Sequence, residues 1–240
     1  MKPYTYLLVD FLTIVVCFIF SFDKRIRFYK HFGAFFKAVV LTGVFFIAWD
    51  VWFTQEGVWW FSTDYTLGKA IFGLPLEEWL FFLCIPFSCL FTYFCLDTFF
   101  NLNWANTLNK GIVWGTTIGC LTVAVLYDEK MYTFITACVT AVTVLYLFYV
   151  DKADWIGKGS LVYTILMLGF FPVNGILTGT GLETPIVNYN PNEILNIRIL
   201  TIPIEDFVYG YAQFMLNLHF FKLFQKDSSR DTSRVSKQIV

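Results

Sequence analysis

The chain is 240 residues long, 57% apolar and only 15% charged, with a formal net charge of −1 and a mean hydropathy of +0.61. That composition excludes an ordinary soluble domain, because so many long apolar runs could not all be buried in a chain of this size. The near-neutral charge argues against a nucleic-acid binder. What remains is an all-α protein whose solvent is lipid.

Seven segments approach the ~20 predominantly apolar residues that a membrane helix needs. In chain order they are 4–22, 37–53, 77–96, 111–127, 131–150, 160–178 and 204–224. Lysine and arginine orient them. Thirteen of the 17 fall on the side of the loop after the first segment and of the C-terminal tail; only Lys2, Lys69, Lys130 and Arg198 fall on the other. A multi-pass protein of the bacterial cytoplasmic membrane is expected, with its N-terminus outside and its C-terminus in the cytoplasm. The first segment does not read as a signal peptide, since Lys2 is its only early charge and no small-residue cleavage site follows. The six cysteines all fall inside apolar segments and read as packing residues, not as disulfides or metal ligands. The polar tail 226–240 is expected to be disordered.

A short acidic motif occurs twice. Residues 73–80 read GLPLEEWL and residues 201–208 read TIPIEDFV. Each places a proline and two adjacent acids at the start of an apolar segment, where proline is tolerated and the helix dipole favours an anion. Helix-start chemistry would explain one copy. Two copies heading two membrane segments point to a paired site, because acids in such segments are costly.

Other anchors repeat with the acids. Asp23-Lys24 recurs as Asp151-Lys152, and Asp50-x-x-x-Thr54-x-x-Gly57 recurs as Asn174-x-x-x-Thr178-x-x-Gly181. Segments 1–3 therefore correspond to segments 5–7. Segment 4 returns the chain to its starting side, which makes the halves parallel repeats. The expected organisation is a first repeat over 1–105, a linking helix over 106–127, a second repeat over 128–225, and the tail.

The candidate acid–base residues are Glu77, Glu78, Glu205, Asp206 and Asp50. At helical spacing, Glu77 shares a face with Ser88 and Thr92, and Glu78 with Ile85 and Cys89, so at least one acid of each pair should look inward. Asp50 lies close in sequence to Trp49, Trp52, Trp59 and Trp60. An interfacial aromatic belt would account for some of these. An aromatic-lined cavity beside carboxyls would instead suit protonation of an alkene and survival of the carbocation. Asn174, Trp49, Trp52, Trp59, Thr54, Thr178 and Tyr209 are the candidate lining residues.

At these residues the sequence resembles the integral-membrane lycopene cyclase family, found as a heterodimer in some bacteria and as a fused chain in others. The resemblance rests on SFDKRIRFYK (21–30), AWDVWFTQEGVWWF (48–61), GLPLEEWLFF (73–82), NGILTGTG (174–181) and TIPIEDFVYGY (201–211). It implies cyclisation of the linear ends of lycopene into β-rings, giving β-carotene through a monocyclic intermediate. It also implies that the two halves correspond to the two heterodimer subunits, joined by an extra helix. The partners are then a lipid-soluble carotenoid and membrane lipid. General-acid duty is expected of Glu77 or Glu205, with Glu78 and Asp206 tuning or relaying the proton. No flavin or nicotinamide fingerprint is present, so no such cofactor is expected, and no metal. A retinal protein would need a lysine inside the last segment, where only Lys222 occurs near the cytoplasmic end. A multi-pass transporter is the other alternative. A metal-dependent prenyltransferase would need spaced aspartate clusters that the chain lacks. The oligomeric state is not legible in the sequence.

Overall fold

The computed structural model describes residues 2–238, with side chains described as far as residue 225. The expected disordered tail, 226–240, falls outside the described side chains. Seven α-helices account for most of the chain: α1 (Thr5–Phe20), α2 (Phe32–Gln55), α3 (Leu76–Phe99), α4 (Asn109–Leu126), α5 (Met131–Leu145), α6 (Ile156–Leu177) and α7 (Ile204–Gln238). α5 continues into one π-helical turn, Tyr146–Val150. Six of the seven are long and apolar enough to cross a membrane. α7 is interrupted by Glu205, Asp206, Gln213, Asn217 and His219, and all five are buried. It is the helix that the others cover, so its polar groups meet protein and not lipid.

The duplication is visible in three dimensions. Ahead of α3 stands a hairpin of two short strands, β2 (Ala70–Ile71) and β3 (Leu74–Pro75); ahead of α7 stands its counterpart, β5 (Arg198–Ile199) and β6 (Ile202–Pro203). Phe72 and Gly73 both take positive φ (53° and 87°), as a type I′ hairpin turn requires. Two further strands, β1 (Trp59–Phe61) and β4 (Val187–Tyr189), come from equivalent loops and pair antiparallel, with Trp60 opposite Asn188. This ribbon ties the two repeats together at the acid-bearing end of the bundle.

Packing departs from the symmetry. α1 lies on α3 and α5 on α7, as equivalents should. α2 packs along α7, but its counterpart pair, α6 and α3, meets far more sparsely. α4 covers α5. At the end opposite the acids, the turn Asn103–Leu108 clamps the start of α6. Asn109 Oδ1 accepts the Gly157 N–H at 2.7 Å and Asn106 Oδ1 accepts the Lys158 N–H at 3.0 Å. Lys158 Nζ reaches Asp97 at 2.6 Å and Asn103 at 3.0 Å. The main apolar core sits at this end, around Phe28, Phe35, Phe87, Ile156 and Leu218.

Candidate active site

Where α6 stands away from α3, a cavity of about 570 Å³ opens, within the range of small-molecule sites. Its walls come from α1, α3, α6 and α7, with Asp50 from α2 and Tyr132 from α5. The β1–β4 ribbon supplies Trp59, Phe61, Val187 and Tyr189 at the acid-bearing end. Along α7 it runs from Asp206 to Asn217, about 16 Å at 1.5 Å per residue. That is roughly half the hydrocarbon thickness of a bilayer. Leu12 and Leu168 line it and are 58% and 80% exposed, so the cavity opens sideways between α1 and α6 to the lipid-facing surface.

Acids of both repeats line this one space. Glu78 and Asp50 come from the first half, Asp206 and Asn174 from the second. The Tyr6 hydroxyl donates to Glu78 Oε2. Asp50 shares a side-chain hydrogen bond with Glu78, and its Oδ2 has no hydrogen-bond partner. In the second half, Asp206 Oδ1 accepts from the Tyr132 hydroxyl at 2.7 Å. Its Oδ2 accepts from Asn174 Nδ2 and from the Tyr189 hydroxyl, both at 2.8 Å. Tyr189 lies in the loop ribbon, where burial and the neighbouring Asp206 push its phenol well above the usual range. Trp59, Tyr132, Tyr189 and Tyr209 form an aromatic wall, with neighbouring ring centroids 5.0–6.4 Å apart. No lysine, arginine or histidine is among the lining residues.

Glu77 and Glu205 lie elsewhere. Glu77 is fully buried, and its Oε1 accepts the Leu67 N–H at 2.6 Å. Glu205 Oε1 accepts the Leu195 N–H and the Thr133 hydroxyl, each at 2.7 Å. Each fastens the loop before its own helix, and neither lines the cavity. The expectation that one of them delivers the proton is therefore not the one this geometry favours. Adjacent positions on a helix point about 100° apart, and here the second acid of each pair turns inward.

The remaining expected lining residues divide. Asn174, Trp59 and Tyr209 line the cavity. Trp49 packs behind Tyr209, with centroids 5.0 Å apart, and Trp52 is 41% exposed. Thr54 accepts the Trp59 indole N–H at 3.1 Å, and Thr178 bonds back to the Asn174 carbonyl at 2.8 Å. Trp49, Thr54 and Thr178 touch the site only through its neighbours, and Trp52, packed on Phe53, stands outside it. Sequence reasoning passed over Tyr6, Tyr132 and Tyr189, which hold the acids. It also passed over Asp10 on α1, which is buried beside Glu78 and Glu77 with neither oxygen hydrogen-bonded. The signal was available, since Asp10 is an acid in the middle of the first apolar run.

No curated protein and no solved structure matches the chain. A family model described as lycopene cyclase matches it twice, over residues 3–96 and 129–224. The two matched segments are the two structural repeats, each ending in the helix that bears an acid pair. Across both repeats, and with a membrane-embedded cavity lined by acids of each, the chain belongs to the lycopene cyclase family.

Proposed function

We propose that the protein closes the linear ends of lycopene into β-rings by acid catalysis without net redox change, giving β-carotene through a monocyclic intermediate. One observation carries this reading: carboxyls of both repeats face a single aromatic-walled cavity that opens to lipid. A carotenoid is lipid-soluble, and a sideways mouth lets it enter without crossing water. A carboxyl donates a proton to the terminal double bond. The tertiary cation is attacked by an internal double bond, a six-membered ring closes, and a carboxylate removes a proton from the ring cation. Aromatic faces stabilise cations, which gives the wall of Trp59, Tyr132, Tyr189 and Tyr209 a role beyond packing. The substrate gains and loses one proton and no electrons, so no hydride carrier enters the balance. By the lysine and arginine distribution, the acid-bearing end faces out and the C-terminus faces the cytoplasm.

Expression in a lycopene-accumulating bacterial host, followed by pigment chromatography, tests the reading. Cyclic carotenoids with β-rings should replace lycopene. Purified protein in lipid should perform the same conversion without added nucleotide or reductant. Unchanged lycopene, or an absolute need for reduced flavin, would overturn it.

A further inference from the structure

A duplicated chain with a duplicated acid pair invites the assumption of two reaction sites, one for each end of the substrate. The cavity contradicts that arrangement, because Glu78 and Asp206, one from each repeat, line the same space. We infer that the halves share one reaction chamber and split the proton work across it, the first half donating through Glu78 and Asp50 and the second accepting at Asp206. This inference rests on the cyclisation reading above.

Two differences between the repeats set the split. Asp50 of the first half corresponds to Asn174 of the second, and Phe61 corresponds to Tyr189. All four line the chamber. Both exchanges give Asp206 a fixed donor, whereas Asp50 offers Glu78 only a carboxyl proton that can leave. Asp206 accepts three bonds through both of its oxygens. An amide nitrogen can only donate, so the Asp206 oxygen facing Asn174 must accept. Its surroundings therefore fit an acceptor. Tyr189 keeps its proton across the working pH range, since its phenol is pushed well above the usual value by burial and by Asp206. Glu78 accepts from the Tyr6 hydroxyl and shares a hydrogen bond with Asp50, whose Oδ2 has no partner. That carboxyl pair shares a proton and keeps Asp50 Oδ2 free to carry one to the chamber.

The balance closes. The Glu78–Asp50 pair gives up one proton as the new C–H bond forms at the alkene. The internal π bond then forms the ring C–C bond. The electrons of one ring C–H bond become the ring double bond, and that proton goes to Asp206. Resetting the chamber moves one proton from Asp206 back to the pair. Tyr209 lines the chamber one helical turn from Asp206 and lies within electrostatic reach of Asp50, Glu78 and Asp206. The two ends of the substrate must then react in turn, each brought to the same chamber.

The experiment uses the full chain in lipid, with lycopene, in deuterated buffer. Membrane accumulation and thermal unfolding are measured in parallel, and the pigments are separated and weighed by mass spectrometry. Wild-type protein should add one deuterium to the first ring it forms and no more than one to each later ring, since the proton passed back from Asp206 comes from the substrate. Glu78→Gln should lose closure of both ends by about 10²–10⁴-fold, and the recovered lycopene should carry no label; Glu78→Asp should restore part of the rate. Asp206→Asn should close rings slowly yet still protonate the alkene, so label appears in recovered lycopene or in rings with a displaced double bond. Tyr189→Phe, which makes the second half resemble the first, should shift products in the same direction by less. If either acid variant closes one end at the wild-type rate and stops at the monocyclic product, there are two sites and the inference fails. It fails too if folded Asp206→Asn matches Glu78→Gln, with neither ring nor label. Wild-type protein that forms no cyclic carotenoid would sink the cyclisation reading, and the shared chamber with it.

Discussion

A step of about 100° around α3 separates Glu77 from Glu78. It sends the first carboxyl to the loop backbone and the second into the cavity. The same step separates Glu205 from Asp206 on α7. The two positions should therefore fail differently when changed. Glu77→Ala leaves the half-buried Leu67 N–H without its partner, which costs about 1 kcal/mol, and should appear as a lowered thermal midpoint. Glu77→Gln keeps an acceptor oxygen and should cyclise at close to the wild-type rate. Glu78→Gln should unfold normally and lose the reaction. Pigment yield and thermal unfolding, measured on the same preparations, separate the two. A normal yield from Glu78→Gln, or a silent pigment profile from well-folded Glu77→Gln, would reverse the assignment. The acid pairs themselves were legible in the sequence, because charge inside apolar runs stands out. Which acid turns inward was not. Ser88 and Thr92 from the Glu77 stripe and Ile85 and Cys89 from the Glu78 stripe all line the cavity, so face counting alone could not choose between them. The tryptophan cluster misled for a different reason. Interfacial and cavity-lining tryptophans share a composition, and only Trp59 of that group reaches the site.

Among the elements, α6 decides where the cavity lies. Its start is pinned while its middle stands clear of α3. The pinning is tight at Gly157, where a Cβ would sit 2.0 Å from the Ala105 carbonyl oxygen. No side chain can be accommodated there without moving backbone, and such movement would also break the Asn109 bond to the Gly157 N–H. Gly157→Ala should therefore destabilise the protein by about 3 kcal/mol, from overpacking together with a lost helix cap. Gly115 in α4 has open space around it. Gly115→Ala should leave stability unchanged or raise it by up to about 1 kcal/mol. Thermal unfolding in one detergent decides the matter, and equal midpoints for the two variants would show that α6 is not held there. The first six helices were readable from apolar length to within about five residues at their ends, whereas α7 runs on to Gln238, past the expected 224. The opening between α6 and α3 was not, because residues 165–173 of α6 are almost uniformly apolar and look alike whether they face lipid, protein or a cavity.

At the scale of the whole molecule, the parallel repeat was legible from the polar anchors, and it brings equivalent loops together. The Ser62 N–H reaches the Ile186 carbonyl at 2.8 Å, and the Asn190 N–H reaches the Val58 carbonyl at 2.8 Å. What the repeat does not convey is its broken symmetry. An exact two-fold arrangement would close α6 onto α3 as α2 closes onto α7, and no chamber would remain. The sparse α6–α3 contact instead gives a cavity that faces lipid beside Leu12 and Leu168. If substrate enters there, bulk at the mouth should slow entry without weakening the fold. Gly169 lines the cavity, and a Cβ at that position would meet nothing within 4 Å. Gly169→Leu should therefore hold or raise thermal stability, since leucine is the better helix former by up to about 1 kcal/mol. It should lower kcat/KM for lycopene by about tenfold or more, equivalent to ~1.4 kcal/mol. Gly119→Leu on α4 has equal room but lies away from the cavity, and should leave turnover unchanged. Rates measured at several lycopene concentrations in liposomes test the pair. Equal kcat/KM values for the two variants would place the substrate's route somewhere other than between α1 and α6.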